Sequence, residues 1–369
     1  MSLKKRLTTA QVIREAAEIF HGIRWKFGIV VCPYCGSIHI KVYDGYRYKC
    51  NSCKNRFSDR TKTLMHGSKL PISVWMQAIY EIFTDNFISS NVLAEKLGIN
   101  QKSAWLLRAK LDYSLEQDKV LLSGIVAQDE MYVGGCLSNY HYSRKWDLLR
   151  KGNYVSSDEK RYSKQALFSL NAALKQPVFG MNDGQKIVLM ALPNNLKKKY
   201  LYQLNKKHVA EGSVTVSDES KLYSEWEKNT GCEIHMNNHH NNQYKTEEGY
   251  TSNRIENTFS WYKRGFGGRI THCKYHQFYL NEFAFRYNTR NLSTEERFEQ
   301  ALGHTIGKCI TYKDIKSYKA YSQFNIPKKK HAGDLSIEDI KHLLSLGHVE
   351  MFEQNGKVYT QRDMMDGLF

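Results

Sequence analysis

Thr251-Ser-Asn-Arg-Ile-Glu-Asn-Thr-Phe-Ser-Trp-Tyr-Lys263 is the stretch around which this chain is organised. Ile255, Phe259, Tyr262 and Phe266 recur at helical spacing and define one apolar stripe. Glu256, Ser260 and Lys263 share an adjacent stripe, so the helix buries one face and carries a carboxylate and an ammonium beside it. Ser252 or Asn253 is placed to cap its start, and Gly265, Gly267 and Gly268 to end it. Upstream, two aspartates each close a β-rich run, Ile125-Val-Ala-Gln-Asp129 and Ser213-Val-Thr-Val-Ser-Asp218. Two strand-end carboxylates and one helix carboxylate form the hard-oxygen donor set that a two-metal phosphoryl-transfer site requires.

Composition narrows the partners. The chain has 369 residues, 54 Lys+Arg against 37 Asp+Glu, and a formal net charge of +17. A cationic chain with 12% aromatic residues suits a polyanion, most simply nucleic acid, although high lysine usage alone would give the same balance. No apolar run of about 18 residues or more is present, so no membrane span is expected. The basic start Met1-Ser-Leu-Lys-Lys-Arg6 lacks the apolar segment of a secretory signal.

Four of the eight cysteines form two tight pairs, Cys32-Pro-Tyr-Cys35 and Cys50-Asn-Ser-Cys53. That spacing places four thiolates around one tetrahedral Zn²⁺ and points to a reducing compartment. Between the pairs, residues 38–43 and 46–49 alternate as hairpin strands around Asp44-Gly45, which makes a zinc ribbon. So small a module folds on its metal. Lys41, Arg47, Lys49, Lys54 and Arg56 give it a cationic surface. A helix is expected ahead of it, from Thr9 to Phe20.

Residues 71–115 read as helices. Pro71 starts one, Ser90-Asn91 caps a second, and Asn100 caps a third from Gln101 to Leu111. Ala94, Gly98 and Ile99 stand where a helix-turn-helix needs a small residue, a left-handed turn and an apolar anchor; an ordinary three-helix bundle fits the pattern too. In the first case Gln101, Lys102, Ser103 and Arg108 face a DNA groove. Strands are then expected at 124–133, 165–174, 186–192, 213–217 and 232–236, with helices at 195–207, 219–229 and 275–290. A basic, strandless stretch spans 136–164. This alternation matches an RNase H-like mixed sheet. His235, His239 and His240 near the last strand read as solvated loop histidines rather than ligands. Beyond 300, a helix at 335–346 and a strand pair turned at Gly356 are expected.

Asp129-Glu-Met-Tyr-Val-Gly-Gly135, Asp218, Asn253-Arg-Ile-Glu-Asn257, Lys263-Arg-Gly265 and Asn281-Glu-Phe-Ala-Phe-Arg-Tyr-Asn-Thr-Arg290 occur in that order. Together they resemble the DDE transposases of bacterial insertion sequences. Trp25, Cys32-Pro-Tyr-Cys35 and Gln101-Lys-Ser-Ala-Trp105 resemble the branch with an N-terminal zinc ribbon and helix-turn-helix, related to the Merlin transposases. The likeness covers about residues 10–300.

It implies an α+β multidomain chain. The N-terminal helix and zinc ribbon occupy 1–65, the helix-turn-helix 66–118, the RNase H-like catalytic domain 119–300 with the basic insertion 136–164, and an accessory tail 301–369. The implied activity is binding of terminal inverted repeats, cleavage at element ends and joining of the 3′-hydroxyl to target DNA. A DNA-binding regulator without transposition is the rival. Asp129, Asp218 and Glu256 would hold two Mg²⁺ or Mn²⁺ ions, and Lys263, Arg254 and Arg264 would contact phosphates. Tyr132 and Tyr140 could serve as nucleophiles in a covalent mechanism, but no His-hydrophobe-His motif accompanies them. The implied partners are double-stranded DNA and further copies of the chain, as a homodimer or higher oligomer, and the implied place is the bacterial cytoplasm, at the nucleoid.

Overall fold

The structure is a computed structural model, and it describes residues 15–84, 87–117, 119–134, 140–151, 175–193, 196–218, 220–237, 250–266, 274–319, 324, 351–354 and 357–360. The chain divides into two compact units, Met1–Ala320 and Tyr321–Phe369.

The first unit opens with helix α1 (Ala16–Arg24) and a three-stranded antiparallel ribbon, β1 (Ile40–Tyr43), β2 (Arg47–Cys50) and β3 (Arg56–Ser58). The described part of the helix expected at Thr9–Phe20 runs one turn further, to Arg24. Buried Asp59 explains how α1 holds the ribbon. The Trp25 indole donates to its Oδ1 at 2.6 Å, His21 Nδ1 meets its Oδ2 at 2.9 Å, and Arg24 donates to its carbonyl and to that of Thr61.

Three helices follow: α2 (Ile72–Thr84), α3 (Ser90–Leu97) and α4 (Gln101–Ser114). Ser89, one residue before the expected cap, accepts from the Val92 amide, and Asn100 caps α4 through the Ser103 amide. Gly98 turns between them in the left-handed region, at φ 63°. Their apolar faces share one core with α1, with Phe285, and with Phe298, Ala301 and Leu302.

The central sheet has five strands in the order β6-β5-β4-β7-β8. They are β4 (Ile125–Val133), β5 (Gln176–Asn182), β6 (Ile187–Ala191), β7 (Val214–Asp218) and β8 (Glu233–Asn237). β4, β5 and β6 form an antiparallel meander, while β7 and β8 run parallel to β4. Helix α5 (Tyr142–Lys151) lies inside the stretch expected to be a strandless loop. Helices α6 (Lys198–His208) and α7 (Trp226–Thr230) connect the parallel strands.

Helices α8 (Asn253–Phe266) and α9 (His276–Asn288) pack on the sheet, and α10 (Thr294–Gly303) and α11 (Tyr312–Ser317) complete the unit. This mixed sheet with flanking helices is the expected RNase H-like α+β arrangement. The unit runs past residue 301, the expected start of the tail, because α10 packs on α2 and α1 and because Ile315 of α11 is buried against Ala109 and Phe278.

Several expectations are corrected. The partner of β4 is Gln176–Asn182, which the interior Pro177 and Gly180 hide from a strand pattern; the expected strand at 165–174 lies outside the described residues. The expected helix at 219–229 is broken by Glu225, which takes φ 59° and leaves α7 only five residues. Gly265 is inside α8 and does not end it; a Cβ there would lie 2.7 Å from the Phe87 ring. His235 sits within β8 and pairs with Glu233 at 2.8 Å. His239, His240, Gly267, Gly268 and the helix expected at 335–346 lie outside the described residues.

Polar side chains seal the free edge of β6. Asn288 takes both backbone groups of Ile187, Gln117 both of Leu189, and Gln277 the amide of Ala191. An edge strand finished in this way offers no template for a further strand. Asn288, in the motif 281–290, is therefore architectural.

The second unit contains the expected hairpin, β9 (Met351–Gln354) paired antiparallel with β10 (Lys357–Thr360).

Gly180 sets the distance of α8 from the sheet: a Cβ there would fall 2.5 Å from Phe259 Cε1 and 2.7 Å from Ile255 Cδ1. Gly180→Val is expected to destabilise the protein by about 1–3 kcal/mol, as overpacking does. Urea unfolding measures this, and a double variant with Phe259→Ala should lose less than the sum of the single effects.

Candidate active site

Backbone register places the two aspartates together. β4 and β7 pair in parallel as Ile125↔Val214, Val126↔Thr215 and Ala127↔Val216. Two residues beyond the last pair, Asp129 and Asp218 stand level on neighbouring strands; Asp218 ends β7, but Asp129 lies in the middle of β4, which continues to Val133 and so corrects the expected strand end at 129. Alternation puts both on the face of Ala127 and Val216. Asp129 also pairs directly with Gly180, whose open face is filled by Ile255 and Phe259 of α8. The two carboxylates therefore lie on the sheet face that α8 covers.

Helix α8, which covers that face, carries Glu256 beside its buried stripe. Ile255, Thr258, Phe259, Tyr262 and Phe266 are its buried stripe, as expected from the spacing. Thr258 Oγ1 accepts from Asn182 Nδ2 at 2.9 Å, which pins the helix to β5. At its start, the Tyr250 ring meets His235 of β8 edge-on, with centroids 5.1 Å apart. Glu256 is exposed, and Ser252 Oγ donates to its Oε1 at 3.0 Å. Lys263, Arg254 and Arg264 are exposed on the same helix.

Glu130 alternates to the opposite face and accepts from the Tyr223 hydroxyl at 2.6 Å. Burial pushes its carboxyl up to about 7; the charges of Asp129 and Asp218 add to this, and the Tyr223 bond opposes it. Both aspartates thus lie within electrostatic reach of Glu130. Burial, and with it the same three carboxylates, holds the Tyr223 hydroxyl far above its ordinary value.

The ribbon carries the other donor set. Sγ atoms of Cys32 and Cys53, and of Cys35 and Cys50, are 3.6 Å apart. A tetrahedral Zn²⁺ with bonds of about 2.3 Å holds its sulfurs about 3.8 Å apart, so the four thiols fit this ion. The Cys53 backbone N–H bonds to Cys50 Sγ and helps pull that thiol down to about 6, favouring the thiolate a metal needs. Among the described residues these thiols are the one group of three or more potential ligands whose donor atoms lie within 4.8 Å of one another. Asp129 and Asp218 share a sheet face, but with Glu256 they do not form such a group.

Of the residues expected to face DNA from α4, Gln101 and Lys102 are exposed at its first turn and Ser103 is half-buried. Gln101 Nε2 also donates to Ser90 Oγ at 2.9 Å, tying α4 to α3. Arg108 is a correction. It is buried, paired with Glu282 and Asp112, and donates to the Ile88 carbonyl. Arg286 completes the network by donating to Glu282 Oε1 at 3.0 Å. Arg108 cannot reach a groove because the back of α4 is packed against α9, a tertiary contact that helix periodicity does not reveal.

Sequence reading also missed Asn237, which pairs in register with Asp218 from β8. Its signal is faint in sequence, an asparagine closing a short strand. Among the described residues no helix is long and apolar enough to cross a membrane.

Comparison with known proteins agrees with this anatomy. Residues 121–288 match the family described as ISXO2-like transposase domain, and residues 14–56 the transposase zinc-ribbon domain. A protein of Halobacterium salinarum, described as an uncharacterized protein in transposable element ISH50, is 30% identical over 154 residues. That alignment covers 40% of this chain and 52% of the relative, so the chain spans about half of the relative's length. No solved structure matches. The chain thus carries a transposase zinc ribbon at residues 14–56 ahead of an ISXO2-like DDE transposase domain at residues 121–288.

Proposed function

We propose that the chain binds the terminal inverted repeats of a mobile element, cleaves DNA at its ends and joins the freed 3′-hydroxyl to target DNA. The observation that carries this reading is the level placement of Asp129 and Asp218 on adjacent strands, on the face covered by the helix of Glu256. Carboxylate oxygens at such a place suit hard divalent cations. Asp129, Asp218 and Glu256 would hold Mg²⁺ or Mn²⁺. When bound, these ions supply the positive charge that activates the attacking hydroxyl and stabilises the leaving oxygen.

The protein's own part is orientation. Ile255 and Phe259 fix Glu256 against the sheet, and Ser252 holds one of its oxygens. Lys263, Arg254 and Arg264 present cations from the same helix to the phosphates of the bound strand. Gln101 and Lys102 are the side chains that α4 offers to a groove, since Arg108 is engaged inside the protein.

The ribbon contributes affinity. Lys41, Lys49 and Arg56 are cross-strand partners in one row over three strands. Like charges placed directly opposite one another destabilise a sheet, so the row is better explained by a polyanion that it neutralises. Joining two element ends needs them held together, which calls for at least two copies of the chain on DNA.

Asp129→Ala, Asp218→Ala and Glu256→Gln are each expected to cut strand transfer by more than about 100-fold while end binding persists. A cleavage and joining assay on DNA carrying the sequences that flank the coding region measures both. Transfer that survives in all three variants sinks the reading, and specific binding without cutting by the unaltered protein would favour the regulator.

Replacing Lys41, Lys49 and Arg56 by Ala should reduce the slope of log affinity against log salt by about 0.9 for each phosphate that is no longer neutralised. Removing zinc with a selective chelator, Mg²⁺ being present, should unfold the ribbon and abolish end binding. Circular dichroism and a DNA-binding titration follow the two effects, and a chain that binds ends equally well without zinc overturns the role given to the ribbon.

A further inference from the structure

Asn237 closes β8 in register with Asp218, so its side chain rises from the same sheet face as Asp218 and, by the β4–β7 register, as Asp129. It is 1% exposed. Neither its Oδ1 nor its Nδ2 has a hydrogen-bond partner among the described residues. A buried carboxamide with both ends unpartnered is costly, and such groups are rare in a folded protein. Here the cost falls one strand away from the second aspartate of the candidate site. The contrast with the neighbouring positions is informative. Gln128 and Ser217 also carry buried unpartnered polar atoms, but alternation turns both to the opposite face. Asn237 alone of the three shares the face of the carboxylates.

We propose that Asn237 is a further residue of the cation site, its carboxamide oxygen facing the divalent ion that Asp218 holds. The inference rests on the two-metal reading given above. The chemistry is consistent: hard divalent cations accept asparagine carbonyl oxygens beside carboxylates, and adding a neutral oxygen donor strengthens binding without adding charge. The Nδ2 of the same group is left as a donor for a phosphate oxygen or for a carboxylate beside it. Parallel neighbours in register bring the Asn237 and Asp218 side chains up side by side, as two ligands of one ion require.

The test is Mn²⁺ binding to the full-length, zinc-loaded chain, followed by calorimetry and electron paramagnetic resonance, together with thermal unfolding. Asp218→Asn is the control. Its loss of Mn²⁺ binding supports the two-metal reading, and unchanged binding there overturns both that reading and this one. Given that loss, Asn237→Leu is expected to weaken Mn²⁺ by about 10- to 100-fold. Its melting temperature without Mn²⁺ should hold or rise, since an unpaired polar group has been replaced by an apolar one of similar size. Asn237→Asp, which keeps the oxygen and adds charge, is expected to bind Mn²⁺ more tightly than the unaltered chain, and it decides the question if the leucine variant does not fold. Mn²⁺ affinity that neither substitution changes, alongside a sensitive Asp218→Asn, overturns the assignment of Asn237 and leaves the two-metal reading standing.

Discussion

The close approach of helix α8 to strand β5 is the contact on which the candidate site depends. Gly180 leaves the space that the Phe259 ring and the Ile255 side chain occupy. Because Gly180 is the direct partner of Asp129, the same contact fixes how far helix α8 stands from the strand of the first aspartate. The candidate carboxylates therefore owe their arrangement to an apolar packing event. Asn182 reinforces it by reaching Thr258 Oγ1, the Arg254 carbonyl and the Tyr287 hydroxyl from one carboxamide.

Around that contact, polar groups serve to join parts. The free edge of β6 is closed by Asn288, Gln117 and Gln277. Arg108, Asp112, Glu282 and Arg286 form a buried ionic network between α4 and α9. Burial drives the Asp112 carboxyl well above its ordinary range, with Glu282 adding to this and Arg108 and Arg286 opposing it. Buried ion pairs add little net stability and are better regarded as setting one arrangement. The arrangement set here joins the helix whose first turn faces outward to the helix that seals the sheet.

The ribbon is held by equivalent means. Asp59 gathers His21, Arg24 and Trp25 of the preceding segment, and Tyr48 and Phe57 pack with Trp25 behind the cysteines. Trp25 docks a metal module onto the helical core, where Phe20 of the preceding helix is fully buried.

The ribbon, the Asn100 cap with the Gly98 turn, the α8 stripe and the strands that carry Asp129 and Asp218 were legible in sequence, because each rests on local spacing: paired cysteines, capping residues, a 3.6-residue period, an alternating run. The β5 strand was not, since Pro177 and Gly180 break its pattern and only its neighbours supply the hydrogen bonds and the ring that make it a strand. Arg108 looked like a surface cation because a helix period records which face is apolar, not which partner approaches the other. Asn237 gave only a faint signal because register with Asp218 is a relation between strands. The sequence by itself determined the donor groups and the elements that carry them. Tertiary structure alone decided which of them share a face, since pairing between distant segments depends on backbone hydrogen bonds that side-chain order does not encode.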